Sequence, residues 1–114
     1  MFAFPPSVRI FLRLEPTDMR KSFDALAALV TQAMKHDPLS GHLFVFRNRR
    51  GDRLKILYWD RDGYALWQKR LEKGTFTLPA EGGVISHTQL MLLLEGFDHA
   101  RSSRTKRFSL AYST

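Results

Sequence analysis

The sequence predicts an α+β fold: a three- to four-stranded, mostly antiparallel sheet with two amphipathic helices packed on one face. Three observations lead there. Apolar residues alternate over residues 7–14, the period of a half-buried strand. They recur at three- and four-residue spacing over residues 18–35 and again after Ser86, the period of an amphipathic helix. Between these stretches lie short segments rich in aromatic and β-branched residues, separated by glycine-containing turns. A layer of helices on a layer of strands is the simplest way to bury both stripes.

In Ser7–Leu14, Val8, Ile10, Leu12 and Leu14 fall on one face, and Arg9, Phe11 and Arg13 on the other. Glu15-Pro16-Thr17 ends this strand, because proline cannot donate to a ladder and restricts its predecessor. A helix follows from about Asp18 to Lys35, capped by Thr17 or Asp18, with Phe23, Leu26, Ala27, Val30 and Met34 on one stripe. His36-Asp37-Pro38 stops it. His42–Arg47 is apolar on both faces, the mark of an interior strand. Asn48–Asp52 forms a turn, and Arg53–Trp59 returns. Asp60-Arg61-Asp62-Gly63 is a second turn with an Asp-Gly hairpin signal. Tyr64–Leu71 fits a helix ending at Gly74 or a third meander strand, and the Asp-Gly turn favours the strand. Phe76–Gly83 is a connector. Ser86 and Gln89 fit a capping box for a second helix, with Leu90, Met91, Leu93, Leu94 and Phe97 on its apolar face and Gly96 as its stop. In the tail, Phe108, Leu110 and Tyr112 alternate as a short docked strand would. Residues 1–98 read as a single globular domain, and residues 99–114 as a basic C-terminal tail.

The chain has 114 residues, 44% hydrophobic and 25% charged, which suits one folded domain with a core of its own. It has no cysteine, so disulfides and Cys-based metal sites are excluded. No apolar run reaches the ~20 residues of a membrane span. The first residues lack the basic and apolar regions of a secretory signal, so a cytoplasmic location is expected, with nucleoid association compatible with it. The net charge of +7 is unevenly placed. Residues 47–73 hold nine Lys/Arg against four Asp/Glu, residues 74–98 hold none against three, and residues 99–114 hold four against none. A basic middle segment and a basic tail thus flank an acidic stretch.

No catalytic arrangement emerges. There is no Gly-x-Ser-x-Gly elbow, no Gly-Lys-Ser/Thr phosphate loop and no HExxH spacing among His36, His42, His87 and His99. Asp60 and Asp62 have the spacing to share a cation, yet turn aspartates ordinarily bond to their own backbone. The expectation is a non-enzyme with no cofactor and no metal.

Nucleic-acid binding has better support. Arg47, Arg49, Arg50, Arg53 and Lys55 lie in or beside one hairpin turn, and arginine forks match phosphate geometry. Arg101, Arg104, Lys106 and Arg107 in the tail form a second candidate surface, as a basic arm or as a frayed terminus. Phe44, Phe46, Tyr58, Trp59, Tyr64 and Trp67 lie close by; facing outward they would stack on bases, and facing inward they would build the core.

Several runs together carry a family resemblance. They are Thr17–Asp24, Gly41–Arg47, Arg50-Gly51-Asp52, Lys55–Asp60, Asp62-Gly63, Lys69–Gly74 and Leu92–Gly96. In this order and spacing, over roughly residues 7–98, the chain resembles the TnpB proteins encoded by the second open reading frame of insertion sequences of the IS sixty-six family. The resemblance implies a non-catalytic accessory protein of transposition, encoded beside a larger protein that carries the catalytic carboxylates. It implies no catalytic residue here. Met19-Arg20-Lys21 and Arg49–Asp52 are consistent with binding, and Gly51 and Gly63 with service in turns. Two functions are therefore expected in competition. One is DNA binding through the basic hairpin and tail. The other is an adaptor for the transposase or other element-encoded proteins without DNA contact, docking through the acidic, leucine-rich helix after Ser86. The oligomeric state is open.

Overall fold

A computed structural model describes residues 4–98 and 103–104. The elements are β1 (Ile10–Leu12), α1 (Phe23–Gln32), β2 (Leu43–Arg47), β3 (Arg53–Asp60), β4 (Gly63–Arg70), β5 (Gly83–Ile85), α2 (His87–Glu95), β6 (Phe97–Asp98) and β7 (Ser103–Arg104). The first five strands form one sheet in the order β4-β3-β2-β1-β5, and β6 and β7 pair separately. The class is α+β as expected, and Tyr64–Arg70 is strand. The sheet is larger than expected and mixed. β1 runs parallel to β2, whereas the β1–β5, β2–β3 and β3–β4 pairings are antiparallel.

The helices do not share a face. Phe11, Phe44, Phe46 and Leu57 bury against Leu26, Ala27 and Val30 of α1. Ile10, Leu12, Leu43, Val45, Leu54 and Ile56 bury against Leu90 and Leu93 of α2. Alternation along each strand puts these sets on opposite sides, so α1 and α2 sandwich the sheet. Connectivity is the cause. α1 is the crossover between parallel β1 and β2, whereas α2 follows β5 at the far edge and returns over the other side. The two-sided apolar pattern of β2 anticipates this: Leu43, Phe44, Val45 and Phe46 are all buried, which requires cover on both faces.

β5 escapes sequence reading because it is only three residues long. Its approach to β1 depends on Gly82. A Cβ there would stand 2.9 Å from Leu14 Cγ and 3.1 Å from the Leu12 carbonyl oxygen. α1 starts at Phe23 rather than near Asp18. The Asp18 carboxylate instead accepts from the Arg20 backbone N–H at 2.9 Å, and Lys21 N–H donates to the Asp18 carbonyl, which folds these residues into a turn. The caps of α2 match their prediction and Leu90 and Leu93 are buried, whereas Met91, expected on the apolar face, is 60% exposed. Ser86 accepts from Gln89 N–H at 3.0 Å, Gln89 Oε1 accepts from Ser86 N–H at 2.7 Å, and Gly96 closes the helix at φ 88°. The alternating run Phe108–Tyr112 lies outside the described residues.

Candidate nucleic-acid interface

The β2–β3 connection is built by Asn48. Its carbonyl accepts from Gly51 N–H at 3.1 Å, its side-chain oxygen accepts from Arg53 N–H at 3.0 Å, and its amide donates to Asp52 Oδ1 at 2.7 Å. Gly51 takes φ +80°, which this turn requires. Gly63 has no such role. It is the first residue of β4, and the positive φ of the β3–β4 turn falls on Arg61. The Asn48 turn is tied down from outside as well: Phe76 N–H donates to Gly51 O at 2.8 Å and Leu71 N–H to Asp52 O at 2.7 Å. Arg49 and Arg50 therefore stand exposed at the tip of an anchored turn.

A groove of about 830 Å³ opens between this turn, the Pro16–Arg20 segment and the end of β4. Its cationic lining is Arg20, Arg49, Arg50, Arg53 and Arg70, and its acidic lining is Asp18, Asp52 and Glu72. The acids are already engaged. Asp18 receives the Arg20 guanidinium at 2.7–3.1 Å, chiefly through side-chain hydrogen bonds that hold its carboxyl down at about 2. Asp52 is held below the usual carboxylate range, first by the Asn48 amide. Glu72 pairs with Arg70 at 3.1 Å. Arg49, Arg50 and Arg53 make no side-chain hydrogen bond or ion pair among the described residues.

The remaining expected contacts divide. Lys55 is buried and turned into the fold: its Nζ donates to Met19 O at 2.9 Å and to Lys21 O at 2.7 Å. Burial, and after it the charge of Arg53, push the ammonium below the usual lysine value. Arg47 is half-buried on the opposite sheet face and donates to Phe76 O at 2.7 Å, with burial lowering its guanidinium pKa. Neither lines the groove. Both were expected because spacing places them in the basic run; the side chain that answers a buried carbonyl is visible only in three dimensions. Arg101, Lys106 and Arg107 lie outside the described residues, and the backbone of Arg104 pairs with Phe97. Arg20 was indicated only through the family resemblance, and sequence reading missed Arg70. Arg70 was within reach, because a two-residue β3–β4 loop places it opposite Arg53.

Among the described residues no aromatic side chain lines the groove. Phe44 and Phe46 are core, and Trp59 packs edge-on against Tyr64 at the other end of the β3–β4 hairpin, with ring centroids 5.1 Å apart. Three histidines serve the fold, and His99 lies outside the described residues. His36 lies against Phe11 with centroids 3.9 Å apart, His42 Nδ1 accepts from Arg9 N–H at 2.9 Å, and His87 Nε2 lies 2.9 Å from Val8 O. Among the described residues no three His, Asp or Glu side chains gather as a metal site would need, and no helix is long and apolar enough to cross a membrane.

The family profile described as IS66 Orf2 like protein matches residues 8–104. The chain belongs to the IS66 Orf2-like family. That family is one of insertion-sequence accessory proteins. Two relatives from Sinorhizobium fredii (strain NBRC 101917 / NGR234) are similar along nearly their whole length. The uncharacterized protein y4hO is 44% identical over 104 residues, covering 89% of this chain and 90% of the relative. The uncharacterized protein y4jC is 40% identical over 100 residues, covering 85% and 86%. No solved structure matches. The IS66 Orf2-like match spans both walls of the groove, from the Pro16–Arg20 segment to the end of β4.

Proposed function

We propose that this IS66 Orf2-like chain is a non-catalytic accessory protein of transposition that binds DNA directly. The observation that carries this reading is the groove. Arg49, Arg50 and Arg53 line it with no anionic partner bonded to them among the described residues, at a turn tied down by Leu71 and Phe76. The backbone of an anchored turn is ordered before binding, so the cost of meeting phosphate falls on the arginine side chains alone. The tail cations Arg101, Arg104, Lys106 and Arg107 extend the proposal beyond the groove. Lys55 and Arg47 drop out of it, because their donors are used internally.

The test is a salt series of duplex binding by the full chain and by Arg49→Ala/Arg50→Ala/Arg53→Ala. Affinity should fall steeply with salt, and the triple variant should lose affinity and flatten the slope by about 0.9 for each phosphate contact removed. Absent binding at moderate salt, or an unchanged triple variant, defeats the reading.

A second reading, an adaptor for the transposase, is favoured by one observation. Met91 is 60% exposed on α2, within the acidic stretch, where a basic partner with an apolar anchor would fit. Co-purification with the element's proteins free of DNA, lost in Met91→Lys, supports it.

A further inference from the structure

We infer that Arg53 and Arg70 form a clamp for the phosphodiester backbone of duplex DNA, read as charge rather than as base sequence. This rests on the DNA-binding reading above and names its ligand class.

The β3–β4 register sets Arg53 directly opposite Arg70. Directly opposed residues of antiparallel strands project from the same face with neighbouring Cβ atoms, and like charges there destabilise the pair. Both side chains line the groove and a smaller adjoining hollow of about 320 Å³. Glu72 offsets Arg70 only weakly, since the two side chains are 57% and 63% exposed. Met19, whose carbonyl Lys55 holds, lines both hollows beside the pair. A repulsive pair kept at the wall of a groove is relieved by an anion between its members. A phosphodiester fits, because each guanidinium presents donors in a planar fork. Among the described residues the groove has no aromatic platform on which unpaired bases stack, so its contacts position the backbone and carry no base readout.

The clamp makes opposing demands on stability and binding, and that separates it from a structural role. Arg70→Gln removes the repulsion, one phosphate contact and the exposed ion pair with Glu72 together, and the last contributes little to stability. Its thermal midpoint should equal or exceed that of the parent chain, while affinity for a labelled duplex of arbitrary sequence falls several-fold and the salt slope drops by about 0.9. Glu72→Gln should act the other way on binding and raise affinity. An element-end duplex and a scrambled one should bind within about threefold of each other, because backbone contacts ignore sequence. The corresponding single strand should bind no tighter than the duplex.

If Arg70→Gln binds like the parent while the Arg49/Arg50/Arg53 triple variant fails, the clamp is wrong and the DNA-binding reading stands. A lowered midpoint in Arg70→Gln overturns the claim of repulsion, and tighter binding of single strand or of the element end overturns the claim of backbone readout. If the parent chain binds neither duplex nor single strand at low salt, both readings fall together.

Discussion

The ammonium of Lys55 donates to the carbonyl oxygen of Lys21 at 2.7 Å, from the sheet to the segment that precedes α1. With the second bond, to Met19 O, it holds two backbone acceptors on either side of Arg20. The bonds fix one wall of the groove to β3. A residue expected to face DNA instead positions one that does line the groove.

Lys55→Met should therefore destabilise the fold by about 1–3 kcal/mol, because a buried side chain loses its donor and two carbonyls lose their partner. Urea unfolding measures this, and amide exchange should quicken at the start of α1 before the rest of the core. Unchanged stability would show that water replaces the ammonium at no cost.

Asp18 gives acid unfolding a specific window. Its carboxyl sits at about 2 in the folded chain, against an ordinary value of 3.8. The folded pKa is the lower one, so the unfolded chain takes up the proton first as pH falls. The stabilisation is complete above 3.8 and is lost as pH falls through about 2. Asp18→Asn should flatten this part of the stability profile, and the carboxyl carbon shift of Asp18, followed by NMR, should titrate well below the ordinary 3.8.

The two turn glycines should respond differently to alanine. Gly51→Ala forces a side chain into φ +80°, with its Cβ 3.3 Å from Thr75 Cβ, and should cost about 1 kcal/mol or more. A Cβ at Gly63 meets nothing within 4 Å, and no positive φ is recorded there. Gly63→Ala should leave the thermal midpoint nearly unchanged.

In α2, Ser86→Ala removes the side-chain half of the capping box and should cost about 1 kcal/mol. Gly96→Ala places a Cβ at φ 88° and should cost a similar amount. Chemical denaturation of each variant checks both values.

The two leucine-rich helix positions that test an adaptor role also separate. Leu93 is 0% exposed, so Leu93→Lys should unfold the chain and cannot report on a partner. Met91 is 60% exposed, and Met91→Lys should fold normally, as circular dichroism would show. Loss of transposase binding in that variant then belongs to the surface.

The sequence by itself determined whatever depends on neighbours a few residues apart. The Ser86–Gln89 box, the Gly96 stop, the two hairpin turns and the strand character of Tyr64–Arg70 follow from spacings that close their own hydrogen bonds. The exposed turn arginines Arg49 and Arg50 were legible for the same reason. Only the tertiary structure decided how distant elements meet. The parallel pairing of β1 with β2, the placing of α1 and α2 on opposite faces, and the short β5 come from chain connectivity, which alternation does not encode. It also decided which cations line the groove. Arg47 and Lys55 are drawn inward by the buried carbonyls of Phe76, Met19 and Lys21, whereas Arg20 and Arg70, from segments far apart in the chain, join Arg53 in one groove. A charge reads the same at every position of a sequence. Whether it meets a carbonyl or open solvent depends on the backbone that folding brings beside it.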